Sequence, residues 1–127
     1  VTYLLIAIGS ALGGAARHAC GVLIAQRFGQ SFPWGTLFVN VTGSLAIGIA
    51  AAFVASHEKA AAAQTTRDFV MIGFLGGFTT FSAFSLQTLQ LLKQHELGLA
   101  AANVVGSLVS CLIAVWAGYM LTERLTS

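Results

Sequence analysis

Four apolar runs, each close to a bilayer in length, leave this chain few ways to fold. They lie at about Tyr3–Ala25, Trp34–Ala55, Phe69–Leu92 and Leu97–Leu121, and only Arg17 and His18 interrupt the first. A helix needs roughly 20 apolar residues to cross the hydrocarbon core. Inside lipid every backbone N–H and C=O must be satisfied within the protein, so runs of this length predict spanning helices. Charge content agrees: 8% of the 127 residues are charged, against about 25% in an ordinary soluble domain. The expected fold is an all-α integral membrane protein, one domain over residues 1–127 with four transmembrane helices. The first run is too long for a signal peptide and lacks a basic start and a small-residue cleavage pattern, so it is expected to remain as a span.

Several function classes drop out. A formal net charge of +2 argues against nucleic acid as a partner. Cys20 and Cys111 fall inside spans, without C-x-x-C spacing or a His or acidic cluster beside them, so neither a disulfide framework nor a metal site of that kind is expected. No nucleophile with a base and no phosphate-binding loop stands out, which argues against an enzyme.

Boundary signals flank the runs. Pro33 opens the second span, and Thr65-Thr66-Arg67-Asp68 offers a Thr-x-x-Asp capping box before the third. Short connections favour antiparallel neighbours. Loop cations are almost balanced, with Lys59, Arg67 and Arg124 on the side of the termini against Arg27 and Lys93 on the other. That balance suits a chain that inserts both ways and pairs with an inverted copy of itself. Small residues such as Gly9, Gly13, Gly43 and Gly48 give the first two spans faces on which helix backbones can approach closely.

Polar residues inside the runs mark a candidate pathway. Asn40 stands in GTLFVNVTG, where its NH2 can donate to an anion that has shed water while its oxygen is held by a neighbour. Asn103, Ser107, Ser110 and Cys111 follow helical spacing and form one polar stripe on the fourth span. Arg17, the only formal charge deep in a span, is expected at an anion vestibule, where its charge would concentrate anions; His18 beside it is expected to pack.

The third span contains GFLGGFTTFSAFS, Gly73 to Ser85. Gly76-Gly77 followed by Thr79-Thr80 is a poor helix interior, so residues 76–80 are expected to unwind. Unwound backbone at membrane depth must be buried in protein or line a cavity, and its bare carbonyls can hold a cation. The carbonyls of Gly76 and Thr79 from two chains near a two-fold axis would suit a hard monovalent cation, with Na+ the natural candidate. Beyond the break Phe81 and Phe84 share a helix face, adjoined by Thr80 and Ser82. A ring edge is electropositive and can hold a small anion weakly, as conduction requires.

GSALGGAARHAC, PWGTLFVNVTG, GFLGGFTTFSAFS and Gly106-Ser107, in this order and spacing, resemble the Fluc (CrcB-type) fluoride channel family over essentially the whole chain. The resemblance implies an antiparallel, dual-topology homodimer in the bacterial inner membrane. It further implies two pores, a structural Na+ at the centre, and passive export of fluoride that entered the cell as HF. By the same resemblance Gly76 and Thr79 supply the Na+-ligating carbonyls, Phe81 and Phe84 the aromatic ladder, Asn40 the pore amide, and Ser107 part of a polar track. Ala83, Gln87 and Cys111 differ from the family's usual residues at their positions.

Two other readings compete. A small dual-topology multidrug exporter needs an acidic residue embedded in the membrane, but Glu58, Asp68, Glu96 and Glu123 fall at or beyond span ends. A non-transporting anchor or assembly subunit would account for the apolar helices, though for neither the expected break nor the polar stripe.

Overall fold

The computed structural model describes all residues, Val1–Ser127, and every regular element in it is helical. Helix α1 covers Thr2–Phe28 and α2 covers Trp34–Ser56. The third span, Ala61–Lys93, is composite. It begins as α3, Ala61–Thr65, continues as a π-helix over Thr66–Leu75, and closes its first half with the single turn α4, Gly76–Phe78. After an interruption at Thr79 and Thr80 it resumes as α5, Phe81–Lys93. Helix α6 spans Leu97–Thr126. Four of these helical stretches are long and apolar enough to cross a membrane, and the chain is a multi-pass membrane protein whose third helix is bent.

Local chemistry accounts for most ends. Gly29 closes α1 at φ 83, a conformation in which a side chain would be strained, and its N–H reaches the Ala25 carbonyl at 2.9 Å. Pro33 immediately precedes α2, where its lack of an N–H costs nothing, and its carbonyl accepts from the Leu37 N–H. The expected capping box before the third span does not form. That helix starts at Ala61, four residues before Thr65, so Thr65 and Asp68 are interior positions. Asp68 is buried, and its two carboxylate oxygens accept from Thr2 Oγ1 at 3.0 Å and Gln64 Nε2 at 2.9 Å. Although buried, it keeps its expected place near a span end, because its partner Thr2 is the first residue of α1.

The spans pack in two pairs, α1 against the first half of the third span and α2 against α6. Lipid offers no hydrophobic drive for such pairing, so backbones must approach closely enough for dispersion to act. On α2 and α6 the approach is reciprocal. A Cβ on Gly48 would fall on the Val115 carbonyl, and one on Gly118 would fall on the Leu45 carbonyl. Helix α5 rests chiefly on α6, leaving space between it and the other spans.

The break is shorter than the sequence suggests. Gly76 and Gly77 stay helical, and only Thr79 (φ −85, ψ 156) and Thr80 (φ −153, ψ 115) are extended. Gly77 serves packing: a Cβ there would stand 2.5 Å from the Ser10 carbonyl oxygen and 3.1 Å from the Gly14 nitrogen. The substitution Gly118→Val should therefore cost about 1–3 kcal/mol or more, since the obstacle is backbone that cannot rotate away. Thermal unfolding in detergent checks it, with the midpoint expected to fall clearly below that of the parent.

Candidate functional site

A helix that stops at Phe78 must do something with its last carbonyls. The Leu75 carbonyl is doubly satisfied, by the Thr79 N–H at 3.0 Å and the Thr79 hydroxyl at 2.9 Å. The Gly77 carbonyl accepts from Arg17 Nε at 3.0 Å. In a continuous helix the Gly76 carbonyl would take the Thr80 N–H, but that group donates to Asn40 Oδ1 at 2.8 Å. Asn40 also donates from Nδ2 to the Thr80 carbonyl at 3.1 Å. One side-chain amide thus occupies both backbone groups of Thr80, as a neighbouring strand would. The Gly76 carbonyl is released from its helical partner and lies on an exposed residue.

The second half-helix begins with its own cap. Thr80 Oγ1 accepts from the Ala83 N–H at 3.1 Å and lies 3.3 Å from Ser82 Oγ. Helix α5 then presents two rings, Phe81 and Phe84, with centroids 5.2 Å apart and planes tilted by 46°. Phe84 is buried, whereas Phe81 is 72% exposed on the single chain. Thr79 needs room of its own, and Gly43 provides it: a Cβ there would collide with the Thr79 methyl.

These pieces enclose a cavity of about 310 Å³. Asn40, Gly76, Thr79, Thr80, Phe81, Phe84 and Ser107 all line it, so seven of the ten residues singled out from the sequence meet in one place. The other three stand apart. Ser82 reaches the rim only through Thr80. Ser110 bonds back to the Gly106 carbonyl of its own helix at 2.5 Å, as serines in apolar helices commonly do. Arg17 is not in the cavity wall, and its charge sits at the C-terminal end of the first half-helix, where the helix dipole favours a cation. His18, expected to pack, is exposed instead and lines a second, larger polar cavity of about 620 Å³ near the ends of α1 and α5. Gln87 lines that cavity too, and its Oε1 is buried without a hydrogen-bond partner.

Sequence reasoning missed several wall residues. Ser44 lies one turn beyond Asn40, a spacing that could have revealed it. Met71, also missed, brings sulfur to the wall beside Cys111 of the expected polar stripe, and no Asp, Glu, Lys, Arg or His lines the cavity. Behind the wall Asn103, 1% exposed, donates to Thr88 Oγ1 at 2.9 Å and accepts from Ser107 Oγ at 3.3 Å.

An uncharged, largely apolar cavity that carries a few polar groups at a helix break, set among four membrane-length helices, defines an integral membrane protein with an intramembrane site. Residues 4–119 match the CrcB-like protein family, described as Camphor Resistance (CrcB), and the chain belongs to that family. It is 54% identical over 125 residues to the fluoride-specific ion channel FluC of Opitutus terrae, covering 98% of this chain and 95% of that one. The FluC of Methylocella silvestris is 49% identical over 94% of this chain and 91% of its own. The FluC 2 of Nitrobacter hamburgensis is 45% identical over 99% and 100% respectively.

The amide clamp is testable by itself. Asn40→Asp keeps an acceptor for the Thr80 N–H but sets a carboxylate oxygen against the Thr80 carbonyl, a loss of about 1–3 kcal/mol locally. Amide hydrogen exchange of the segment 79–83 should accelerate about ten-fold or more, with α6 unchanged.

Proposed function

We propose that this chain is a passive, fluoride-selective ion channel and not an enzyme, and that the cavity beside Thr79 and Thr80 is part of its anion pathway. The observation that carries the reading is the charge-free wall. A fixed cation there would trap an anion, while hydrogen-bond donors and ring edges hold one weakly enough to release it. Asn40 commits one N–H to Thr80 and keeps a second for the anion. The Thr80 and Ser82 hydroxyl pair and the tilted rings of Phe81 and Phe84 extend the pathway. The polar basin lined by His18 and Gln87 would be its water-filled approach. The names of the relatives, fluoride-specific ion channels over nearly full length, support fluoride as the ion.

The same reading makes the protein an antiparallel homodimer of dual topology, with two pores, in the bacterial inner membrane. On a single chain Gly76 and Phe81 are exposed beside unwound backbone, and lipid does not tolerate such backbone uncovered. A second, inverted copy would cover it, as the balanced loop cations allow. Two copies would also bring the Gly76 and Thr79 carbonyls together. Their fit to Na+ rests on the released Gly76 carbonyl, since neutral oxygens suit a hard monovalent cation. When bound, the ion supplies positive charge and a tie between copies.

Transport needs no energy source beyond the membrane potential. A potential of 100 mV, negative inside, drives a univalent anion outward by about 2.3 kcal/mol, enough to hold a roughly fifty-fold gradient. The exporter alternative finds no support, because the buried Asp68 is held by Thr2 and Gln64 and does not line the cavity.

Liposomes carrying the purified protein, with a potassium ionophore clamping the voltage, should release fluoride passively and chloride at least about a hundred-fold more slowly. Comparable chloride release would sink the selectivity, and no release would sink the channel. Phe81→Ile should cut fluoride release about ten-fold or more without changing elution on size exclusion.

A further inference from the structure

The hydrogen-bond chain behind the cavity ends on a group that can only accept. The Phe84 carbonyl has no proton, so the Thr88 hydroxyl, 2.8 Å away, must donate to it. Thr88 Oγ1 then has only lone pairs for Asn103, 2.9 Å away, and Asn103 must present its NH2. The Asn103 carbonyl oxygen is left facing Ser107 Oγ at 3.3 Å, and Ser107 has to give its proton to it. The polarity of each bond is dictated by the one before. Flipping the Asn103 amide would set its oxygen against the lone pairs of Thr88 Oγ1 and break that bond at a residue only 1% exposed.

Two consequences meet at the cavity. Ser107 lines it with its proton turned away, so it shows the cavity lone pairs, which suit a water and repel an anion. The chain also ties the backbone of Phe84 to α6, and α6 is the chief support of the half-helix that carries both rings.

We propose that Asn103, although absent from the cavity wall, is a positioning residue for the anion pathway. By setting the direction of this chain it fixes the Phe84 segment on α6 and makes Ser107 a holder of water, not an anion donor. The inference rests on the fluoride-channel reading and refines it, separating the groups that donate to the anion from one that hydrates the route.

The test compares passive fluoride efflux for the parent, Thr88→Val, Asn103→Leu and the double variant, each first shown to elute like the parent. For links in series each single variant should lose about ten-fold, and the double should fall within about three-fold of the worse single. Losses that multiply to about a hundred-fold would overturn the proposal. Thr88→Ser keeps the hydroxyl and should restore efflux to within about three-fold of the parent; a loss equal to that of Thr88→Val would count against the chain. Asn103→Asp can still accept from Ser107 but has no N–H for Thr88, so it should lose as much as Asn103→Leu. Parent-like efflux would refute the assigned direction. If Asn103→Leu does not fold, the two Thr88 variants decide. The same panel is scored by thermal unfolding, so a parent that passes no fluoride defeats the channel reading while the coupling is still read. There, a double shift no larger than the larger single supports the chain, and additive shifts overturn it.

Discussion

Two hydrogen bonds between the Asn40 amide and the backbone of Thr80 decide what the third span can be. A bare N–H or C=O in hydrocarbon costs several kcal/mol, so a transmembrane helix does not open unless something else takes its backbone groups. Asn40 takes one of each. With the Thr80 N–H held elsewhere, the Gly76 carbonyl loses its helical donor, and the next residues start a fresh helix capped by Thr80 itself. An interruption of two residues suffices to place a free carbonyl, two hydroxyls and two rings around one cavity.

The surrounding packing makes that arrangement hold its shape. Helix α1 lies close against the first half of the third span through Gly77 and Ser10, which brings Arg17 to the Gly77 carbonyl. Helix α2 is fixed to α6 at Gly48 and Gly118 and so carries Asn40 on a rigid support. The second half-helix, with few neighbours of its own, is tied to α6 at Thr88 and Asn103. Each wall of the cavity is therefore anchored by a contact outside it.

Much of this is visible in the sequence, because hydropathy is a local property. The four runs all lie within the observed spans, the third of which starts earlier than its run, at Ala61, so that it takes in Asp68, sheltered by a threonine 66 positions away. The break was legible from Gly76 to Thr80, but its extent was not. Glycine weakens an isolated helix, whereas here Gly77 lets another backbone approach, and nothing in the local spacing names that neighbour. Arg17 is similar: a lone charge in an apolar run announces a partner, yet the partner is a carbonyl 60 positions away. The polar stripe on the last span was apparent, but only the fold separates Ser107 in the wall from Asn103 behind it and Ser110, bonded to its own helix.

That the cavity is the ion's route can be tested through Cys111, which lines it, in a chain whose other cysteine, Cys20, is replaced by alanine. A small thiol reagent is added to liposomes while fluoride release and thiol labelling are followed together. The account predicts that release falls in step with labelling of Cys111. Full release from fully labelled protein would show that fluoride travels by another path.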